Sequence, residues 1–222
     1  MADQAPSRRP ENFGALAIEL LHCDAAWIVI NKPAGLPSVP GRGPELADCA
    51  SARVQALYLD ALVVHRLDMA TSGLLLMARG ATYQRSLSQA FAQRKVHKIY
   101  EALVAGEVAE DQGLIDAPLI ADWPRRPVQK VDCESGKASQ TRWSVMARAP
   151  GLTRLRLHPL TGRTHQLRVH LAHIGHPILG DTLYGAQDLA AVYPRMMLHA
   201  RGLSLAHPVS GETADFSSPT PF

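Results

Sequence analysis

Cysteine is scarce in this chain. The three that occur, Cys23, Cys49 and Cys133, lie 26 and 84 residues apart, a spacing that matches no zinc module and leaves one thiol over in any disulfide scheme. Reduced thiols and a cytoplasmic setting are the economical expectation. Although hydrophobic residues make up 46% of the chain, no apolar run approaches the roughly 18 residues that a membrane span requires. Arg8 and Arg9 are followed by Pro10, Glu11 and Asn12 rather than by an apolar core, so the pair opens no secretion signal. Internal repeats and low-complexity tracts are missing too. Charge of one sign does not dominate: 23 Lys and Arg against 20 Asp and Glu give +3, which suits a nucleic-acid partner without requiring one.

What is present is enough chain for one domain, since 222 residues bury roughly 70% of their unfolded surface. Residues 1–14, rich in Pro, Arg and polar groups with no apolar period, read as a mobile arm, leaving 15–222 as a single domain. Ala26 to Asn31 reads as a strand that stops at Pro33 and Gly35, and the Pro- and Gly-dense stretch to Pro44 as a surface loop. A helix is predicted from Asp48 to Tyr58, and a second where Tyr83, Leu87, Ala90 and Phe91 recur at helical spacing as a core stripe. His97 to Ala105 returns as a strand. Thr141 to Ala149 pairs with Leu152 to His158 through Pro150-Gly151, Leu155 and Leu157 pointing inward and Arg154 and Arg156 outward to solvent. Gln166 to Ile174 reads as a helix closed by Gly175, and Met196 to Ala206 as a late strand. Strands and helices without regular alternation indicate α+β around an antiparallel-rich sheet.

The most informative stretch runs from His65 to Arg79. Ala61 to Val64 and Gly73 to Ala78 read as buried strands, and Asp68, Thr71, Ser72 and Gly73 supply turn chemistry between them. A carboxylate is thus held on rigid supports. Taken alone, Asp68 is a turn former or an ion-pair partner of Arg66, which lies two residues earlier on the same side of an extended chain. His165, His170, His173 and His176 crowd one helix and its exit, and His170 and His173 can share a face. No acid sits beside them as a base, no HExxH motif appears, and Arg163 and Arg168 would repel a cation, so no metal is expected.

His65-Arg66-Leu67-Asp68 followed by Thr71-Ser72-Gly73 resembles the catalytic motif of the RluA family of pseudouridine synthases. Three other segments agree in order: Asn31-Lys32-Pro33-Ala34-Gly35, Lys98-Ile99-Tyr100-Glu101-Ala102, and Leu160-Thr161-Gly162-Arg163-Thr164-His165-Gln166-Leu167-Arg168. The likeness runs from about Trp27 to about Pro208. Ala121-Asp122-Trp123-Pro124-Arg125-Arg126-Pro127 and His176-Pro177-Ile178-Leu179-Gly180-Asp181 are similar to the short members that modify both tRNA and large-subunit rRNA.

The resemblance implies a pseudouridine synthase fold, with a central mixed, largely antiparallel sheet and flanking helices around a catalytic cleft floored by Asp68. Too few residues precede Trp27 for the additional amino-terminal RNA-binding domain that members often carry. It also implies an isomerase that needs no cofactor. Asp68 is the essential carboxylate, acting as nucleophile at ribose C1′ or as base at C2′. Arg168 keeps it ionised, and Tyr100 stacks on the target base. A base must leave its stack to reach Asp68, and Arg66 fills the vacated gap unless it pairs with a surface acid. Leu198 packs against Tyr100, while His65 and Thr71, inside the same motif, join the substrate-binding set. Phosphate contacts are expected from Arg94, Lys95, Lys98 and Arg163, and from a loop in which Trp123 is interleaved with Arg125, Arg126 and Lys130. The implied partners are stem-loops of tRNA and large-subunit rRNA, with no membrane and no obligate protein partner, the chain acting as a monomer. Two alternatives stand beside this: a synthase for another large-subunit rRNA uridine, and a non-catalytic RNA-binding or chaperone protein of the same fold.

Overall fold

The computed structural model describes residues 18–41, 43–44, 47–185 and 192–222; the arm expected over residues 1–14 lies outside them. The elements in order are β1 (Glu19–Cys23), β2 (Trp27–Lys32), α1 (Ala50–Leu57), β3 (Ala61–Val63), β4 (Ser72–Arg79), α2 (Gly80–Ala92), β5 (His97–Ala105), β6 (Gln112–Asp116), β7 (Leu119–Ala121), β8 (Gln129–Val131), β9 (Gln140–Ala149), β10 (Leu152–Pro159), α3 (Gln166–His173), β11 (Leu198–Ala206) and β12 (Thr213–Ser217). One large sheet runs β1-β2-β4-β11-β5-β10-β9-β6, with β12 on β11 and β3 on β4, and β7-β8 form a separate ribbon. No described helix is long and apolar enough to cross a membrane.

Burial on both faces explains the continuous apolar runs of β2 and β4. Ile28, Ile30, Leu75 and Met77 face α1 through Ala50 and Val54. Trp27, Val29, Leu74 and Leu76 face α2, whose Tyr83, Leu87, Ala90 and Phe91 pack there as the helical spacing indicated. In the other half of the sheet, Ala102, Leu155, Leu157 and Leu198 share a core with Leu167 and Leu171 of α3.

Several local expectations are corrected. Helix α1 starts at Ala50 rather than Asp48, because Cys49 is extended and its Sγ accepts the Ala52 amide at 3.4 Å. The stretch around Trp123 is no open loop: β7 and β8 pair antiparallel around a 3₁₀ turn at Trp123–Arg125. Arg154 is not a solvated charge, since it bonds Glu101 at 3.5 Å and the Phe222 carbonyl at 2.6 Å.

The two halves meet through a short parallel contact, His199 opposite Ser72 and Ala200 opposite Gly73. Beyond it the strands part, β3 taking the edge of β4 and β12 that of β11. Approach this close requires glycine: at Gly73 φ is +111°, and a Cβ would lie inside the backbone of Ala200. Gly73→Ala is expected to cost about 3 kcal/mol or more in urea unfolding. Gly151→Ala, at φ +75° with open space around it, is expected to cost only about 1 kcal/mol; equal costs would refute the close-contact account.

Candidate active site

Asp68 lies between β3 and β4 in a connection held from several sides. Its carbonyl accepts the Thr71 amide at 3.0 Å, and the next carbonyl, Met69, accepts Gly35 N–H at 2.8 Å. Lys32, fully buried at the end of β2, donates to the carbonyls of Pro33 (2.8 Å), Leu36 (2.8 Å) and Met69 (3.2 Å). Burial brings its ammonium down to about 7, with the Asp68 charge opposing that fall. Ser38 Oγ donates to the Leu67 carbonyl at 2.6 Å and accepts the Leu67 amide at 3.0 Å. The Asn31–Gly35 motif therefore serves as a clamp on the Asp68 loop. Neither Lys32 nor Ser38 stands out in sequence as a site residue, because their partners are main-chain groups.

His65 also acts inside this scaffold. Its Nε2 accepts the Leu76 amide of β4 at 2.9 Å, and its ring stacks on Phe91 with centroids 4.4 Å apart. Thr71 is buried, whereas Arg66 is exposed at the rim of the cleft and bonds no other described residue.

From the opposite wall comes Arg168 of α3. Two of its nitrogens grip Asp181, Nε to Oδ2 and Nη2 to Oδ1, both at 2.7 Å, while Nη1 reaches Asp68 Oδ2 at 3.4 Å. Burial, the largest single influence, works against the guanidinium charge, and the bonds and charge of Asp181 together with the charges of Asp68 and Tyr184 outweigh it. Asp181 is itself buried and accepts the amides of Leu183 and Tyr184. In the sequence it falls inside the His176–Asp181 motif with nothing local to give it a role.

Tyr100 of β5 lies opposite Leu157 and Ala200 and shares a core cluster with Leu198. Burial, and then the charge of Asp68, push its phenol well above the ordinary value, so it holds its proton across the physiological range. Asp68, Tyr100, Arg168, Arg66, His65, Thr71, Leu198, Arg163, Lys98 and Arg94 all line one cleft of about 1180 Å³.

The structure does not bring Trp123, Arg125, Arg126 and Lys130 into that cleft wall. Arg126 stacks on Trp123 at 3.3 Å, and Trp123 is 66% exposed. Arg125 and Lys130 are partly neutralised, by Asp122 at 2.7 Å and Asp132 at 3.7 Å. The ribbon still touches the site, through Tyr184: its hydroxyl accepts the Gln129 amide of β8 at 2.8 Å and lies 2.7 Å from His165 Nδ1.

Two histidines of the helix and its exit are engaged separately. His170 bonds Thr141 Oγ1 and the Ala117 carbonyl, and His176 bonds the Ala105 carbonyl. Among the described residues no group of three His, Cys, Asp or Glu side chains is placed to hold a metal ion.

Behind the cleft, His199 Nδ1 lies 2.7 Å from Ser72 Oγ and its Nε2 lies 3.2 Å from Ser218 Oγ. Burial above all pushes His199 down to about 4 and His65 to about 3. Both lie below the 6.5 of an unperturbed histidine, so at intermediate pH the unfolded chain takes up protons that the native state refuses. Their contribution to stability is complete above pH 6.5 and falls as the pH drops toward 4. Urea midpoints measured from about pH 7 to about pH 4.5 should decline accordingly, and His199→Gln should flatten the slope; an unchanged slope would remove His199 from this account.

Comparison with known proteins agrees with this arrangement. The family model described as RNA pseudouridylate synthase matches residues 26–173. The chain is 46% identical over 206 residues to the dual-specificity RNA pseudouridine synthase RluA of Pasteurella multocida (strain Pm70), covering 92% of this chain and 94% of the relative. It is 48% identical over 204 residues to the protein of the same name from Yersinia pestis, covering 91% and 99%. Among solved structures, Human RNA Pseudouridylate Synthase Domain Containing 1 superposes with a TM-score of 0.79 at 28% identity, over 96% of this chain and 87% of that one. A shared fold, and a sequence held in common along nearly the whole length of these relatives, make this chain a member of the RNA pseudouridylate synthase family.

Proposed function

We propose that the chain isomerises uridine to pseudouridine in stem-loops of both tRNA and large-subunit rRNA, with Asp68 as the essential carboxylate. The observation that carries this is the state of Asp68: one oxygen is tethered to Arg168 at 3.4 Å, while Oδ1 takes no bond from any described residue. A free carboxylate oxygen in a cleft is what either chemistry needs, attack on ribose C1′ or removal of the C2′ proton. The reaction breaks C1′–N1, turns the uracil and joins C1′ to C5. The C5 proton leaves and N1 gains one, so the product is an isomer and no cofactor enters the balance.

The other residues divide the remaining work. Arg168 sets a fixed positive charge 3.4 Å from Asp68 in a partly buried setting. Tyr100, protonated, offers an aromatic face to the base and a phenol able to donate. Arg66 at the rim, without a partner among the described residues, suits the space that an extruded base leaves, and Arg163 and Lys98 suit phosphate. Trp123 under Arg126 forms an exposed platform outside the cleft for an unpaired base. Dual range rests on the likeness to relatives whose names carry it. Three free thiols suit a reducing cytoplasm, and a monomer suffices for the cleft as built.

Single-turnover conversion of uridine in an unmodified tRNA anticodon stem-loop and in an rRNA hairpin tests the reading. Wild type should convert both, and Asp68→Asn neither, with RNA affinity within about threefold of wild type. Conversion of one RNA alone would remove the dual range; binding of both without conversion would overturn the enzyme reading. Asp181→Asn, which loosens Arg168, should slow conversion by about 10- to 100-fold with affinity little changed, as expected for lost positioning.

A further inference from the structure

His165 adopts a conformation that its own backbone opposes. Its φ is +54°, in the left-handed region where a residue with a Cβ costs about 1 kcal/mol and where Asn or Gly sits more easily. The helix gains nothing from the side chain, because His165 precedes α3 without making a capping bond. Gln166 instead takes the neighbouring groups, accepting from the Arg163 amide and Thr161 Oγ1. Strain kept at the wall of a reactive cleft points to the chemistry of the side chain.

The hydrogen bonding fixes that chemistry. Tyr184 Oη accepts the Gln129 amide, so its own proton needs an acceptor, and His165 Nδ1 at 2.7 Å is the one found among the described residues. The imidazole proton is thereby placed on Nε2. Nε2 has no partner among the described residues, and His165 lines the cleft with Asp68, Tyr100 and Arg168. The ring is near enough to feel both Asp68 and Arg168, while burial keeps it neutral.

We propose that His165 recognises the extruded base, its Nε2–H donating to the C4 carbonyl oxygen of uracil, and that Tyr184 holds the tautomer able to do so. The inference rests on the synthase reading above. Uracil presents carbonyl oxygens at C2 and C4, whereas cytosine carries an amino donor at C4. A fixed neutral donor at that position favours uridine by attraction and disfavours cytidine by leaving two donors opposed.

The test compares His165→Gly, Tyr184→Phe and wild type in single-turnover conversion of the tRNA anticodon stem-loop, with affinity measured separately. His165→Gly relieves the strain, so the variant should fold. Its rate should fall tenfold or more with affinity within about threefold, and Tyr184→Phe should lose less, about threefold to tenfold. At about pH 8.5, where free imidazoles are neutral, added imidazole should restore part of the glycine variant's rate. 1-Methylimidazole, which fills the same space but has no N–H, should not. Equal rescue by both, rescue by neither, or an undiminished rate in the glycine variant would overturn the role of His165. Failure of the wild type to convert the RNA would fall on the synthase reading instead.

Discussion

The cleft depends on a contact two residues long. Where Ser72 and Gly73 of β4 run beside His199 and Ala200 of β11, the halves of the sheet are joined closely enough that only glycine fits at position 73. The strands then diverge, and each vacated edge is satisfied differently. Beside Asp68 the exposed ladder of β4 is completed by a side chain, His65 Nε2 taking the Leu76 amide, until β3 resumes main-chain pairing. An unsatisfied buried amide would cost about 1–3 kcal/mol, so His65, three residues before Asp68, also closes the sheet beneath it. On the far face the last residues brace the same junction: Ser218 meets His199, and Thr220 meets Glu101, which also pairs with Arg154 and Arg201.

Electrostatics in the cleft follow an order of grip. Arg168 is shared by two carboxylates, bidentate at 2.7 Å to Asp181 and singly at 3.4 Å to Asp68. Bidentate, desolvated pairing is the stronger of the two, so Asp181 fixes the guanidinium and Asp68 merely feels it. This suits a reacting carboxylate. Had Asp68 been the tightly paired partner, approach of a ribose would first have to break a buried ion pair, at a cost of several kcal/mol. Tethered as it is, Asp68 keeps a neighbouring positive charge and one oxygen unbonded by any described residue.

Much of this was legible in the sequence, and the parts that were not share a cause. Double-sided burial made β2 and β4 readable as apolar runs, and helical spacing made α2 readable. Strands β1, β6, β7, β8 and β12 are short, with mostly mixed burial, and their patterns do not rise above the loops around them. At the site, motifs located Asp68, Arg168 and Tyr100, yet gave no role to Lys32, whose partners are three carbonyls, since main-chain acceptors leave no trace in sequence. Asp181 and Tyr184 escaped because their meaning lies in Arg168 and His165, 13 and 19 positions earlier. Arg154 read as solvated for the same reason, its acceptors lying 53 and 68 positions away.

Two left-handed positions near Asp68 obey opposite rules, and the contrast separates architecture from chemistry. Gly73 is dictated by sterics, since any side chain there collides with the neighbouring strand. His165 is dictated by nothing in the backbone: the conformation would accept Asn or Gly more readily, and the helix it precedes takes its bonds from Gln166. Where the fold demands a residue, the demand is visible as a clash. Where it tolerates an unfavourable one, the explanation has to come from what the side chain touches, which for His165 is a tyrosine hydroxyl tied to the β7-β8 ribbon on one side and the open cleft on the other. The same imidazole thus ties the β7-β8 ribbon, through Tyr184 Oη and the Gln129 amide, to the cleft that Asp68 lines.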